Sequence, residues 1–116
     1  MLIRIDNYKD IDERKLMDVY GESNAENALD FYPDDDPEEG IKKVEKGFLD
    51  FLWNEFFTSA GNVYYVLEVG GVWVSALRLN LIENGFYYLE ALETHPACRR
   101  KGFAVELIEA VMKEIE

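Results

Sequence analysis

The hydrophobic pattern of this chain changes period at Gly61-Asn62, and that change limits the architectures open to it. Upstream, Ile41, Val44, Phe48, Phe51, Leu52 and Phe56 recur at helical spacing, with Trp53 and Phe57 widening the stripe. Downstream, segments 63–69, 72–81 and 86–94 are rich in β-branched and aromatic residues and read as strands. Gly70-Gly71 and Asn84-Gly85 are two-residue hairpin signals, so the three strands form an antiparallel meander. Pro96 stops the third strand, because proline has no N–H to give to a ladder. Ala104, Leu107, Ile108, Val111, Met112 and Ile115 then share one face of a final helix.

The first half is less regular. Leu2 to Ile5 reads as a short strand. Asp10 with Glu13 three residues later fits a capping box, and Ile11, Leu16, Val19 and Tyr20 supply an imperfect stripe to the helix behind it. That helix is expected to fray across Gly21-Glu22-Ser23-Asn24, and residues 25–32 carry no clear period. After a loop at 33–36, Asp36 is a suitable N-cap, Pro37 suits the first helical position, and Glu38 and Glu39 complement the dipole. The expected order is β-α-α-β-β-β-α. This is an α+β fold of α/β type, with a mostly antiparallel central sheet flanked by helices and one domain over 1–116. The last helix reaches the final residue without a Gly or Asn cap, and the parallel strand that such a crossover normally feeds is absent. The domain is therefore expected to be C-terminally incomplete, without its C-terminal strands.

Charge narrows the function classes. The chain has 12 Lys+Arg against 24 Asp+Glu, a net charge of −12. Residues 1–40 hold 13 acids and 4 bases, residues 41–82 hold 4 of each, and residues 83–116 hold 7 acids and 4 bases. Nucleic acid and anionic membranes are poor partners for such a surface. The acidic first third reads as a solvated face, with a weaker reading as a field that attracts a cationic substrate. With 48% hydrophobic residues the chain can build a core, yet no apolar run approaches the ~20 residues of a membrane span. The N-terminal residues lack the apolar stretch of a signal peptide, and the single cysteine excludes a disulfide framework. A cytoplasmic setting is expected.

Against this acidic background stands one run of three bases, Arg99-Arg100-Lys101. It lies in Thr94-His95-Pro96-Ala97-Cys98-Arg99-Arg100-Lys101-Gly102-Phe103-Ala104, which joins a strand to a helix. A helix start offers unpaired N–H groups and a positive dipole end, and Gly102 lets the backbone approach a ligand. With the basic residues this makes a phosphate site; a plain strand-to-helix turn with solvated bases is the competing reading. Neither GxGxxG nor GxxxxGK[ST] is present, so a dinucleotide fold and a nucleotide-hydrolysing P-loop are not indicated.

Arg99-Arg100-Lys101-Gly102-Phe103-Ala104 matches Arg/Gln-x-x-Gly-x-Gly/Ala, the acetyl-CoA motif of the GNAT superfamily of N-acetyltransferases. The wider string from Leu92 to Ala104, His-Pro pair included, resembles that family's strand-to-helix junction, and the hairpins before it resemble its meander. The resemblance is one of sequence over about 62–116 and of architecture alone over 1–61. It implies that acetyl-CoA binds as co-substrate, with backbone amides of Arg99, Arg100, Lys101, Gly102, Phe103 and Ala104 on the pyrophosphate. It also implies that Leu92, Glu93 and Thr94 pair with the pantetheine arm in the manner of an added strand. The implied reaction is direct transfer of acetyl to a primary amine, with no metal.

The base candidates are Glu90 and Glu93, with Glu90 favoured. They differ in parity, so a regular strand directs them to opposite faces, and only a bulge between them changes this. Tyr87 and Tyr88 are alternatives as substrate-shaping residues, with packing the expected role. His95 occupies a place where the family often has a non-catalytic histidine, and Cys98 is an ordinary loop residue. Asp34, Asp35, Asp36, Glu38 and Glu39 lack the glycine and spacing of a calcium loop and read as a helix-capping acidic loop. The family's usual acid, a tyrosine beyond the next strand, is not in this sequence, so weak turnover is expected. The alternatives are a non-catalytic CoA-binding or interaction module on a truncated GNAT fold, and an acidic structural domain sharing only the fold. The acceptor is a small-molecule or protein amine, with a cationic one favoured. The open edge of the third meander strand predicts a homodimer or strand exchange.

Overall fold

The computed structural model describes residues 1–83 and 85–115. Strand β1 (Leu2–Ile5) leads through a 3-10 turn at Tyr8–Asp10 into helices α1 (Glu13–Val19), α2 (Gly21–Phe31) and α3 (Pro37–Phe51). Strands β2 (Val63–Val69), β3 (Val72–Glu83) and β4 (Phe86–Thr94) follow, and α4 (Phe103–Ile115) closes the chain. The four strands form one sheet in the order β1-β2-β3-β4, antiparallel at every pairing.

The sheet is buried on both faces, which is why β2 reads as a continuous apolar run rather than an alternation. Tyr64 and Val66 face a core with Ile5, Leu16, Val19, Tyr20, Leu52 and Phe56, beneath the early helices. Val63, Tyr65 and Leu67 face a second core with Leu77, Leu79, Leu107 and Val111, beneath α4. The Gly70-Gly71 hairpin forms as expected: Val69 pairs with Val72, and both glycines adopt the positive φ of a type I′ turn. Glu83 pairs with Phe86 around the second expected turn, of which Asn84 lies outside the described residues.

Local details in the first half depart from expectation. The cap of α1 is Asp12, whose carboxylate accepts from Lys15 N at 3.1 Å; Asp10 sits in the 3-10 turn capped by Asn7. The helix does not fray at Gly21. It breaks at Tyr20 (φ −94°, ψ 15°) and a new helix runs through the residues without clear period, so three helices rather than two precede the meander. Asp36 and Pro37 cap α3 as expected, with Glu38 N donating to Asp36 at 3.2 Å. At its C-terminus α3 widens into a π-turn over Leu52–Phe56. The extra residue per turn rotates Trp53 out of the apolar stripe: it is 62% exposed and rests edge-on against Tyr8.

Candidate functional site

β4 is the outer strand of the sheet, paired to β3 on one side. It is not regular. Ala76 pairs with Glu93 and Arg78 with Glu90, so two steps along β3 match three along β4. The extra residue forms a bulge around Ala91, which takes a left-handed conformation at φ 54°. The bulge cancels the parity difference between the two carboxylates. Glu90 and Glu93 lie on the same face of the sheet, the one covered by α1 to α3, rather than on opposite faces.

Their environments differ. Glu93 accepts from Ser23 Oγ of α2 at 2.6 Å, and its other oxygen is 3.9 Å from Arg99. Its backbone carbonyl accepts from Ser75 Oγ at 2.8 Å. Glu90 accepts from Arg78 Nε at 3.1 Å and Asn80 Nδ2 at 2.6 Å, both on Oε1. The bulge is held from below: Tyr64 OH donates to Tyr20 OH, and Tyr20 OH donates to the Ala91 carbonyl, each at 2.6 Å. Burial pushes both phenols well above their ordinary pKa, so they remain neutral donors.

Beyond Thr94 the chain turns. His95 Nδ1 accepts from Ala97 N at 3.0 Å and caps the 3-10 turn Pro96–Cys98, which leaves the imidazole proton on Nε2. Cys98 is a half-buried free thiol at the edge of the core beneath α4. Arg100 (φ 62°) and Gly102 (φ 77°) both have positive φ, so the chain turns sharply before α4. α4 begins at Phe103, its first turn leaving amides without helical partners. A Cβ built on Gly102 meets no atom within 4 Å, so this side of the loop is open. Arg100, Lys101 and Gly102 are exposed. The Arg99 side chain instead reaches back to Glu22 of α2 at 2.5 Å, stapling the helix start to the junction.

The structure thus brings Glu90, Leu92, Glu93 and Thr94 onto one edge strand that leads, through the turn Pro96–Cys98, into the loop Arg99–Gly102 and the start of α4 at Phe103-Ala104. Tyr87 and Tyr88, expected to pack, are 41% and 58% exposed. Arg78, Tyr20 and Tyr64 carry no motif signal, and the sequence reads Tyr20 only as part of an apolar helix stripe. The one available sign was a charge at Arg78 between two leucines in an apolar strand. A cavity of about 350 Å³ lies elsewhere, between Tyr8 and α3, and includes no residue of this junction. An edge strand suits an extended ligand better than that hollow does. Among the described residues, no helix is long and apolar enough to cross a membrane.

An antiparallel meander flanked by helices, with a bulged edge strand leading into a glycine-turned helix start, is the architecture of an acyl-CoA-type transferase domain. The chain belongs to the acetyltransferase (GNAT) family, whose model matches residues 22–116. No curated protein matches the sequence at a significant level. Solved structures share the fold at low identity. An aminoglycoside 6'-N-acetyltransferase complexed with coenzyme A is 11% identical with a TM-score of 0.58, over 99% of this chain and 54% of that one. The PaiA N-acetyltransferase of Thermoplasma acidophilum, also in complex with coenzyme A, is 15% identical with a TM-score of 0.60, over 99% of this chain and 72% of that one. A GCN5-related N-acetyltransferase from Ralstonia eutropha is 18% identical with a TM-score of 0.59, over 98% and 74%. The chain therefore spans about half the length of the aminoglycoside enzyme and about three-quarters of the other two.

Proposed function

We propose that this domain transfers an acetyl group directly from acetyl-CoA to a primary amine. The observation that carries the reading is the junction itself. A loop with two left-handed residues, open above Gly102, leads into the first turn of α4 beside a strand that is paired on one side only. The pyrophosphate suits the amides from Arg99 to Ala104, with Arg100 and Lys101 adding exposed positive charge. The pantetheine arm suits the open edge at Leu92, Glu93 and Thr94 as an added strand. The coenzyme A complexes of two structural neighbours support this assignment.

In the reaction the neutral amine attacks the thioester carbonyl, the C–N bond forms, the C–S bond breaks, and the CoA thiolate leaves and takes up a proton. Glu90 is the base that removes the ammonium proton, directly or through one water. Glu93 is tied at one oxygen to Ser23 of α2, with Arg99 3.9 Å from the other, and is the second candidate. A backbone N–H of β4 is suited to the tetrahedral oxyanion. A cationic acceptor fits the acidity of residues 1–40, which build the helices over this face.

Calorimetric titration with acetyl-CoA, followed by thiol detection over a panel of primary amines, tests the reading. Binding with amine-dependent thiol release is expected. Binding without release supports a non-catalytic CoA-binding module, and no binding overturns both.

A further inference from the structure

The cation paired with Glu90 on this face is Arg78, and nothing in the reaction above uses it. Its side chain is 14% exposed, in the middle of β3 and between Leu77 and Leu79. Four rings surround the guanidinium: Phe51 at 5.1 Å, Phe48 at 5.6 Å, Phe56 at 5.7 Å and Tyr64 at 6.0 Å from Cζ. Arginine cannot shed its charge, so the site must compensate it. The ring faces supply part of that, and Glu90 supplies the rest. A buried pair of this kind seldom stabilises a fold more than well-packed apolar residues of the same volume. On a face otherwise built from Tyr64, Phe56 and Ala76, an apolar side chain would serve stability equally well.

What the pair does is orient. Arg78 Nε and Asn80 Nδ2 both bind Oε1 of Glu90, and no hydrogen bond among the described residues uses Oε2. The Glu90 side chain is 26% exposed, so solvent reaches part of it. Asn80 sits two residues beyond Arg78 on β3, and its partner on β4 is Tyr88. β3 therefore delivers both donors from one rigid strand to one oxygen. The rings of α3, the π-turn and β2 hold Arg78 at a fixed height over the sheet.

We propose that Arg78 is a positioning residue: its aromatic cage fixes the guanidinium, which clamps Glu90 through Oε1 and leaves Oε2 to accept the acceptor's proton. This rests on the transferase reading, and the test separates the two. Crystal structures and kinetics of Arg78→Met, Glu90→Gln and the double variant are compared with the wild type, with thermal melting as control. In Arg78→Met the Glu90 carboxylate is expected to leave its position against Asn80, while the melting temperature and acetyl-CoA affinity hold. A displaced base is expected to lower kcat by roughly 10- to 100-fold with the KM for acetyl-CoA unchanged. Glu90→Gln is expected to lower kcat by about 100-fold, and the double variant to be no slower than Glu90→Gln. Should Arg78→Met not fold, Arg78→Lys carries the comparison, keeping the charge but not the planar Nε–H. A Glu90 carboxylate unmoved in the variant overturns the proposal, as do effects on kcat that multiply in the double variant. A wild type that releases no thiol with any amine overturns the transferase reading instead, and the catalytic half of this proposal with it; the displacement of Glu90 is read independently of turnover.

Discussion

The hydroxyl of Tyr20 donates to the carbonyl of Ala91 across 2.6 Å and 71 residues of chain. It joins the break between α1 and α2 to the bulge in β4. Ala91 is a non-glycine residue at φ 54°, a conformation that persists only where the surroundings over-determine it. Tyr20, 3% exposed and backed by Tyr64, is that constraint. Tyr20→Phe leaves a carbonyl and a phenol without partners and is expected to cost about 1–3 kcal/mol, read as a lower urea midpoint. Ala91→Gly removes the backbone strain and is expected to be neutral or stabilising by up to about 1 kcal/mol. Ala91→Val is expected to destabilise, because a β-branched residue tolerates positive φ poorly. A Val variant as stable as the Gly variant would show that the bulge is not held in the left-handed region.

The same two tyrosines set an alkaline limit. Burial raises both phenols above the ordinary value of 10.0, whereas in the unfolded chain they ionise near it. Below pH ~10 both states are protonated and the contribution is complete. Above it the unfolded state loses protons that the native state keeps, so stability falls by about 1.4 kcal/mol per pH unit for each tyrosine until the folded pKa is passed. The melting temperature is expected to drop steeply above pH ~10, with a shallower drop in Tyr64→Phe. Equal slopes in the two proteins would contradict this.

Gly102→Trp fills the open side of the junction with an indole and imposes a side chain at φ 77°. Loss of acetyl-CoA binding with the fold intact by circular dichroism is the expected result. The neighbouring bases divide by geometry. Arg100→Ala and Lys101→Ala are expected to weaken binding a few-fold each, less at high salt, since exposed charges are screened. Arg99→Ala is expected to have the smaller effect on affinity, because its guanidinium is engaged with Glu22. Calorimetry at low and high salt checks the ranking.

The outer strand β4 carries exposed apolar side chains. Phe86 and Tyr88 are 70% and 58% exposed, and Tyr87 and Leu89 are exposed beside them. Edge-to-edge association of two copies is expected, opposed by the net charge of −12 on each. The dimer fraction is therefore expected to rise with salt, and Leu89→Lys to lower it. Light scattering that finds a monomer at every salt concentration would remove the expectation.

Much of this was legible locally. The change of period at Gly61, the turn at Gly70-Gly71, the Asp36-Pro37 cap and the junction from Arg99 to Ala104 each depend on residues adjacent in sequence. Propensity, capping and turn chemistry act over a few residues, so a string of letters carries them. The break at Tyr20 was not legible, because nothing local demands it. It coincides with hydrogen bonds to Tyr64 and Ala91, partners 44 and 71 residues away.

The facing of Glu90 and Glu93 is the clearest division. The sequence by itself determined that two carboxylates lie on the strand before the Arg99–Ala104 junction, within an α+β domain of the GNAT family. Their odd spacing implied opposite faces, and an alanine between them announces no bulge. Only the tertiary structure decided that they share a face. Strand register is a cooperative property of the sheet, and here one phenol beneath the strand satisfies the carbonyl that an extra residue displaces. The same holds for Arg78: its charge was visible in the letters, but its four rings and its single carboxylate come from α3, the π-turn, β2 and β4 and converge on it only when these four elements pack.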